Sequence, residues 1–193
     1  MSKIFYLMGK SASGKDTIYK RVKEALPELS EIVIYTTRPM REGERDGVEY
    51  HFVDDAEFRR LRKLGKVIEY REYHTVHGIW TYFTVADEQF DRTESNIAIG
   101  TLESYMKLRE YFGKERLVPI YIEVEDGLRL ERALARERGQ REPKYKELCR
   151  RFLADAEDFS EEKLSRAEIE TRYENVDLEA CIREIILGIR RNL

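Results

Sequence analysis

The chain has 193 residues, of which 41% are hydrophobic and 38% are charged, and this length fits one domain with a sizeable core. The 35 Lys and Arg residues are balanced by 38 Asp and Glu residues, for a net charge of −3, so the overall charge does not favour a nucleic-acid partner. No apolar run approaches the ~20 residues of a membrane span, no secretory signal is recognisable, and two cysteines without metal-like spacing fit the reducing cytoplasm.

Strand-like apolar runs alternate with helical patterns along most of the chain, which predicts a three-layer α/β fold with a mainly parallel sheet. The predicted core strands are 3–8, 31–36, 96–100 and 117–124. Helical spacing of apolar residues follows at 18–26, 148–159 and 178–189, with Asp177 as the expected N-cap of the last helix. The two cysteines fall in the last two of these helices, where buried or half-buried thiols are expected.

Two segments break this alternation. Residues 38–85 contain patterns typical of antiparallel strands at 48–53, 66–76 and 78–85, with a short helix after Asp54. Residues 136–147 are dense in charge and indicate a mobile loop, or lid, between two helices. We therefore predict a single domain with an inserted α+β lobe and a lid. Its parts are the core (1–37, 86–135 and 148–193), the insert (38–85) and the lid (136–147).

The stretch GKSASGKDT (9–17) fits the phosphate-loop pattern G-x-x-x-x-G-K between a strand and a helix. Backbone N–H groups of such a loop converge on phosphate oxygens, and Lys15 adds a cation for the β- and γ-phosphates. The alternative is a glycine-rich turn that binds no ligand. The residues predicted to bind ATP here are Gly9, Lys10, Ser11, Ala12, Ser13, Gly14, Lys15, Asp16 and Thr17.

Asp16 stands where the motif usually has a Ser or Thr hydroxyl that ligates Mg²⁺. A carboxylate is also a hard-oxygen ligand for magnesium, so we predict that Asp16 binds the ion directly or through water. The alternative is an exposed acidic residue that only complements the positive end of the helix dipole.

A second anion site is indicated by YTTRPMREGERDGVEYHFV (35–53). Arg38 and Arg41 lie three residues apart, with Tyr50 nearby in sequence, and two guanidinium groups and a phenol can hold one phosphate monoester. Ordinary surface charge would explain the arginines but not the whole pattern.

This stretch resembles the GMP-binding region of guanylate kinases, T-T-R-x-x-R followed by G-E-x-x-G-x-x-Y-x-F-V, and the similarity runs from the loop to the last helix. The resemblance implies that Arg38, Arg41 and Tyr50 hold the phosphate of GMP. It further implies that Glu69 accepts hydrogen bonds from guanine N1–H and the N2 amine.

The chain departs from the family pattern at three places. Ile34 replaces a serine that contacts the guanine carbonyl, and Gly100 and Thr101 stand where an acidic residue is usual. The segment GIWTYF (78–83) replaces G-N-Y-Y-G-T, so Thr81 or Tyr82 would substitute for a phosphate-binding tyrosine. The residues predicted to hold the GMP phosphate (Arg38, Arg41 and Tyr50, called the clamp here) thus match the family pattern better than the residues around the base.

The resemblance also implies that lid arginines, Arg138 and Arg151, close over the transferring phosphoryl group, and that Asn175 lies near the adenine. Together with Lys15 and Arg38, these arginines form the predicted catalytic set. No general base is needed, because the acceptor phosphate is already nucleophilic. His51, His74 and His77 are therefore interpreted as structural or surface residues.

The leading prediction is Mg²⁺-dependent phosphoryl transfer from ATP to GMP, giving ADP and GDP, by a cytoplasmic monomer or homodimer with no nucleic-acid or membrane partner. Two alternatives stay open. One is a kinase for another phosphorylated acceptor, such as ribose 1,5-bisphosphate, whose kinases can carry G-K-D in the loop. The other is a non-catalytic guanylate-kinase-like binding module, although such modules characteristically lose the functional phosphate loop.

Overall fold

The structure is a computed structural model that describes residues 2–75, 78–90 and 93–193. These residues form two β-sheets and their covering helices. The strands are β1 (Ile4–Met8), β2 (Ser30–Glu31), β3 (Tyr35–Thr36), β4 (His51–Phe52), β5 (Val67–Thr75), β6 (Gly78–Val85), β7 (Asn96–Gly100), β8 (Leu117–Glu123) and β9 (Arg172–Glu174). The helices are α1 (Lys15–Ala25), α2 (Asp55–Lys63), α3 (Leu102–Phe112), α4 (Asp126–Arg138), α5 (Tyr145–Asp158), α6 (Glu161–Arg166) and α7 (Leu178–Asn192).

The core sheet has the strand order β2-β7-β1-β8-β9, and all its pairs are parallel. Every residue of β1 is buried, as expected for a central strand with helices on both faces. Tyr6 and Met8 contact the cluster that includes α3 and α6, whereas Phe5 and Leu7 contact the cluster formed with α1 and α7. The predicted three-layer α/β architecture with a mainly parallel sheet is confirmed.

The helix predictions are confirmed, with one change of length. The Asp177 side chain accepts a hydrogen bond from Ala180 N at 2.7 Å and caps α7 as predicted. The segment 136–147 is helical at both ends, because α4 continues to Arg138 and α5 begins at Tyr145. Arg, Glu and Lys are good helix formers, so the loop between the two helices covers only 139–144 and is shorter than the predicted 136–147.

The predicted strand 31–36 is wrong as a single element, since β2 belongs to the core sheet and β3 to the second sheet. The chain crosses between the sheets at Val33. There the Gln89 side chain accepts from Val33 N at 2.7 Å and donates to Val33 O at 3.2 Å. A side chain thus replaces the ladder hydrogen bonds that a continuous strand would supply.

The second sheet, with α2, is called the lobe here, and its strand order is β4-β3-β6-β5. The predicted β5–β6 pair is antiparallel as expected, but β4 is only two residues long and pairs with β3 in parallel, so the antiparallel prediction for 48–53 is wrong. α2 follows Asp54 as predicted, and Phe58 and Leu61 pack against Phe83 from β6.

The two cysteines differ in their surroundings. Cys181 is buried in α7, as predicted, whereas Cys149 is exposed on α5, which the sequence interpretation did not anticipate. None of the described helices is both long enough and apolar enough to cross a membrane.

Candidate functional site

The phosphate loop connects the end of β1 to the start of α1, and both motif glycines are required by its geometry. Gly14 has a left-handed φ of 86°, and a Cβ there would lie 2.5 Å from Asn175 Nδ2. A Cβ at Gly9 would lie 2.6 Å from the Ile122 carbonyl oxygen. A larger residue would have to displace the Asn175 side chain at position 14 and the backbone of β8 at position 9. Between them, Ala12 also has a positive φ, 62°.

Asn175, which follows β9, contacts the phosphate loop through its side chain. Its buried Nδ2 donates to the Ser13 carbonyl at 2.8 Å. Asn175 Oδ1 and Ser13 Oγ are also buried, and neither has a hydrogen-bond partner among the described residues. Asn175, predicted from the resemblance to lie near the adenine, therefore contacts the loop directly.

An ion pair between a buried arginine and a half-buried aspartate, which the sequence interpretation missed, holds the outer part of the loop. Asp155 Oδ2 accepts from Ser11 N at 2.8 Å and from Arg129 Nη1 at 3.0 Å. Arg129 is 1% exposed, and its guanidinium lies 4.1 Å from the centre of the Phe152 ring. No local sequence pattern indicates this contact, because its residues lie on α4, on α5 and in the phosphate loop and meet only in the folded chain.

Lys15 and Asp16 begin α1 side by side. Lys15 Nζ lies 3.6 Å from Asp16 Oδ1, and the Asp16 side chain is 81% exposed. Lys10 pairs instead with Asp126 at 3.2 Å, and Thr17 is exposed. Among the described residues no three His, Cys, Asp or Glu side chains converge as a metal site. The lone Asp16 carboxylate nevertheless fits Mg²⁺, which proteins often bind through one carboxylate together with substrate phosphates.

One cavity of about 520 Å³ joins the phosphate loop to the lobe, a size typical of small-molecule sites. Lys15 and Asp16 line it from the loop, while Tyr50 and Tyr82 line it from the lobe. Its further lining residues from the lobe and the core are Ile34, Arg71, Tyr73, Thr75, Trp80, Ile99, Gly100 and Thr101. The structure thus brings the predicted donor loop and part of the predicted acceptor clamp to one space.

Arg38 lies directly behind this cavity wall. Only 3% of its side chain is exposed, and its guanidinium is 5.3 Å from the centre of the Tyr50 ring. Arg38 donates two hydrogen bonds to the Glu44 carboxylate, at 2.8 and 2.9 Å. These bonds raise the pKa of Arg38 and lower the pKa of Glu44.

Arg41 and Tyr50 complete the predicted clamp on either side of Arg38. Arg41 is exposed, and its backbone N–H donates to Glu44 at 2.7 Å. Burial raises the pKa of Tyr50, whose ring packs edge-to-face with Tyr82 at 5.5 Å between centres. The clamp therefore has one buried cation, held by a carboxylate, and one exposed cation.

The cavity-facing side of the β5–β6 hairpin carries three cross-strand pairs: Glu69–Thr84, Arg71–Tyr82 and Tyr73–Trp80. A register shift between Val67 and Glu69 lets Val67 pack with the α2 cluster while Glu69 faces the other way.

Strand alternation also separates the two substitutes proposed for the family tyrosine. Tyr82 lines the cavity, whereas Thr81 is buried and its backbone N–H donates to the Thr37 hydroxyl at 2.9 Å. Since successive side chains point to opposite faces, Thr81 lies on the side of the strand away from Tyr82.

Glu69 is buried, and both oxygens of its carboxylate accept a hydrogen bond from the protein. Its Oε1 accepts from Thr84 Oγ1 at 2.7 Å, and its Oε2 accepts from Ser104 Oγ at 3.0 Å. Its Oε2 also lies 3.8 Å from Arg71 Nε. The carboxylate is therefore held beneath the wall of the cavity by protein partners.

At Gly100, the last residue of β7, the structure leaves no room for an acidic side chain. A Cβ at Gly100 would lie 1.9 Å from the hydroxyl oxygen of Tyr6. Tyr6 fills this space from β1, and burial raises its pKa. Thr101 follows as the N-cap of α3, where its hydroxyl accepts from Ser104 N at 3.3 Å.

The predicted lid arginines lie apart from the cavity lining. Arg138 is the exposed last residue of α4. Arg151 borders a narrow crevice that also includes Ser11 of the phosphate loop, and it lies 3.4 Å from Glu147. Arg151 is thus positioned near the outer end of the loop, and neither arginine lines the cavity that contains Lys15.

The histidines have varied surroundings. His51 packs against Tyr35 with 4.5 Å between ring centres, and His74 is exposed, both consistent with structural or surface roles. His77, interpreted in the same way, lies outside the described residues.

Comparisons with known proteins agree with this geometry. The family model described as guanylate kinase matches residues 1–81. A guanylate kinase of Salinibacter ruber is 31% identical over 193 residues, covering 98% of this chain and 96% of that protein. A guanylate kinase of Frankia casuarinae is 53% identical over 64 residues, which are 33% of this chain and 35% of that protein.

The fold is also similar to a solved structure. The crystal structure of guanylate kinase from Anaplasma phagocytophilum matches with a TM-score of 0.63 and 26% identity, covering 98% of this chain and 85% of that one. Together with the relative that is similar over nearly its whole length, this likeness shows that the chain belongs to the guanylate kinase family.

Proposed function

We propose that this protein transfers the γ-phosphoryl group of ATP to GMP, giving ADP and GDP. The observation that carries the proposal is that Lys15 of the phosphate loop and Tyr50 and Tyr82 of the lobe line one cavity. Phosphoryl transfer needs two phosphates held in line in one space with positive charge around them. A loop and an anion clamp that share a cavity meet this requirement.

The donor half is formed by the phosphate loop, residues 9–17, together with Asn175. Backbone N–H groups of the loop and of the start of α1 would bind ATP phosphate oxygens. Lys15 would lie against the β- and γ-phosphates and stabilise the charge of the transition state. The contact of Asn175 with Ser13 supports a role in holding the donor site, next to the adenine.

The acceptor half is formed by Arg38, Arg41 and Tyr50, with Tyr82 beside them. Glu69, which the resemblance predicts to contact the base, accepts hydrogen bonds from Thr84 and Ser104 in the structure. The phosphate of GMP would compete with Glu44 for the buried guanidinium of Arg38. Such an exchange of one anion for another avoids leaving a buried cation unpaired in the empty site.

The lid arginines, Arg138 and Arg151, would complete the charge field on closure. Arg138 ends α4 and Arg151 lies within α5, the two helices that flank 139–144. A rotation of this segment toward Lys15 would bring positive charge to the migrating phosphoryl group. Closure would also exclude water and so suppress hydrolysis of ATP.

Magnesium bound with ATP is part of the proposal. Asp16, directly or through water, is the residue that would hold the ion, since its exposed carboxylate lies beside Lys15 at the cavity. The ion would neutralise charge between the β- and γ-phosphates.

Two other functions are less well supported. A binding module does not need an intact loop lysine, yet Lys15 and both loop glycines are kept. A kinase of another phosphorylated acceptor, such as ribose 1,5-bisphosphate, would not require the aromatic wall of Tyr73, Trp80 and Tyr82. Small-molecule nucleotides are the proposed partners, and a cytoplasmic monomer or homodimer is the proposed state of the protein.

The test of this function is an acceptor panel. With ATP and Mg²⁺, acceptor-dependent ADP release should be fastest with GMP and slow with AMP, CMP, UMP and ribose 1,5-bisphosphate, because the base contributes to binding. Release with the sugar bisphosphate alone would support the other kinase, and no acceptor-dependent release would support the binding module.

Lys15→Met should lower kcat for GMP phosphorylation about 10²- to 10³-fold, the usual effect of losing one preorganised charge at a transition state. The matched control is Lys20→Met, which removes an exposed lysine from the same helix and should retain normal turnover. Steady-state kinetics of both variants measure the difference. Equal turnover of Lys15→Met and Lys20→Met would exclude the role given to Lys15.

Asp16→Asn should make ATP binding less dependent on Mg²⁺. Without metal, the variant should bind ATP roughly two- to fivefold more tightly, because a like charge beside the phosphates is removed. With Mg²⁺ it should bind ATP less tightly than the wild type. Calorimetric titrations with Mg²⁺ and with a chelator measure both values, and Glu24→Gln, at the far end of α1, is the control. An identical metal dependence in all three proteins would contradict a metal role for Asp16.

A further inference from the structure

Arg71 is a charged residue of the cavity that the sequence patterns did not single out. It lies on the cavity-facing side of β5, between Glu69 and Tyr73, and its cross-strand neighbour is Tyr82. It lines both the cavity that contains Lys15 and an adjoining cavity of about 330 Å³. Arg71 is therefore part of the wall between the acceptor site and this adjoining cavity.

Two contacts fix the direction of the Arg71 side chain. Nη1 donates to Thr101 Oγ1 at 3.0 Å, and Nε lies 3.8 Å from Glu69 Oε2. The Glu69 carboxylate already accepts from two hydroxyl groups, those of Thr84 and Ser104. Both Glu69 oxygens thus already accept a hydrogen bond from the protein, and Oε2 also faces the Arg71 cation.

The guanidinium keeps unused donors. Only 16% of the Arg71 side chain is exposed, and its buried Nε has no hydrogen-bond partner among the described residues. Among those residues, its one hydrogen-bond acceptor is Thr101. A nearly buried cation with unmet donors, at the wall of a cavity, favours a ligand that presents acceptor atoms there.

The rest of the wall identifies the kind of ligand. Tyr73, Trp80 and Tyr82 come from the same face of the lobe and also line the cavity. Aromatic side chains provide stacking surfaces for a nucleobase, and a guanidinium beside them would meet the edge of such a base. A paired guanidinium and aromatic wall fit a purine with acceptor atoms on its exposed edge.

We propose that Arg71 determines acceptor specificity by donating hydrogen bonds to the O6 and N7 atoms of guanine. This inference rests on the proposed function, since it names the contact that selects GMP in that site. Guanine presents two acceptors on this edge, and an arginine can pair with both, whereas adenine presents an amine in place of O6. Arg71 would then do the discrimination that Ile34 and Gly100 cannot supply.

The proposal differs from recognition by Glu69 in the atoms that are read. Glu69 would read N1–H and the N2 amine, whereas Arg71 would read O6 and N7. IMP lacks only the N2 amine, and 7-deaza-GMP lacks only N7 as an acceptor. These two compounds therefore separate the two modes of recognition.

The experiment compares the affinities of GMP, IMP and 7-deaza-GMP for the wild type, Arg71→Met and Arg62→Met. Arg62 is the matched control. It is another arginine of the lobe whose guanidinium lies near an aromatic ring, 4.7 Å from that of Tyr70, but it does not line the cavity. Dissociation constants come from calorimetry, and the fluorescence of Trp80, the single tryptophan, gives a second reading. The kcat/KM values for the same acceptors are measured with ATP and Mg²⁺.

In the wild type and in Arg62→Met, 7-deaza-GMP should bind about tenfold more weakly than GMP, whereas IMP should bind nearly as well as GMP. In Arg71→Met, GMP should bind about 10- to 100-fold more weakly, and its advantage over 7-deaza-GMP should disappear. Arg71→Lys keeps the charge near Glu69 but not the planar pair of donors, so it should also lose most of this advantage. That variant carries the test if Arg71→Met does not fold.

Two results would overturn the inference while leaving the proposed function intact. One is turnover of GMP by Arg71→Met with the wild-type ratio between GMP and 7-deaza-GMP. The other is a strong loss of IMP binding that Arg71→Met does not change, which would assign recognition to Glu69. If the wild type phosphorylates no purine monophosphate but does use ribose 1,5-bisphosphate, the proposed function itself fails, and the reading of guanine by Arg71 fails with it.

Discussion

The hydrogen bond from Asn175 to the Ser13 carbonyl fixes the shape of the donor half of the site. Asn175 follows β9 directly, and its own backbone N–H donates to Glu123 O at 2.9 Å. The edge of the core sheet therefore sets the position of the side chain that closes the loop. Asn175 Nδ2 occupies the space where the Cβ atom of a larger residue 14 would lie. Position 14, which has a left-handed backbone conformation, therefore requires glycine. Lys15 then starts α1 at the cavity.

Three cations of the site, Lys15, Arg38 and Arg71, lie beside carboxylates, but the pairs differ in burial. Lys15 and Asp16 form an exposed pair, which contributes little to stability by itself. Arg38 with Glu44 and Arg71 with Glu69 are largely buried, so in these pairs the cation is fixed in place before a substrate arrives. The acceptor side is thus more preorganised than the donor side. A preorganised acceptor site reduces the entropy that is lost when the two phosphates are brought into line.

Local signals predicted much of this arrangement from the sequence. The phosphate loop follows from its glycine spacing between β1 and α1, and the start of α7 follows from one capping residue, Asp177. The mainly parallel core could be predicted because the apolar runs of β1, β7 and β8 are each contiguous and buried. These features depend on neighbours in sequence, which patterns can show.

What could not be predicted depends on contacts between distant residues. The break between β2 and β3 is stabilised by Gln89, more than fifty residues along the chain. The polar strand β9 is defined only by its pairing with β8, and the tie between Arg129 and Asp155 exists only once α4 and α5 are packed together. Likewise, only the strand pairing of the lobe sheet shows that Tyr82, and not Thr81, faces the cavity as the possible substitute for the family tyrosine.

The shared cavity is tested most directly by a bisubstrate compound that joins adenosine and guanosine through a pentaphosphate. If the phosphate loop and the clamp form one site, calorimetry should show that this compound binds at least ~100-fold more tightly than ATP or GMP alone, because its second half binds intramolecularly. It should also displace both nucleotides with a stoichiometry of one. An affinity no higher than that of the better single nucleotide would show that the two halves do not form a common site.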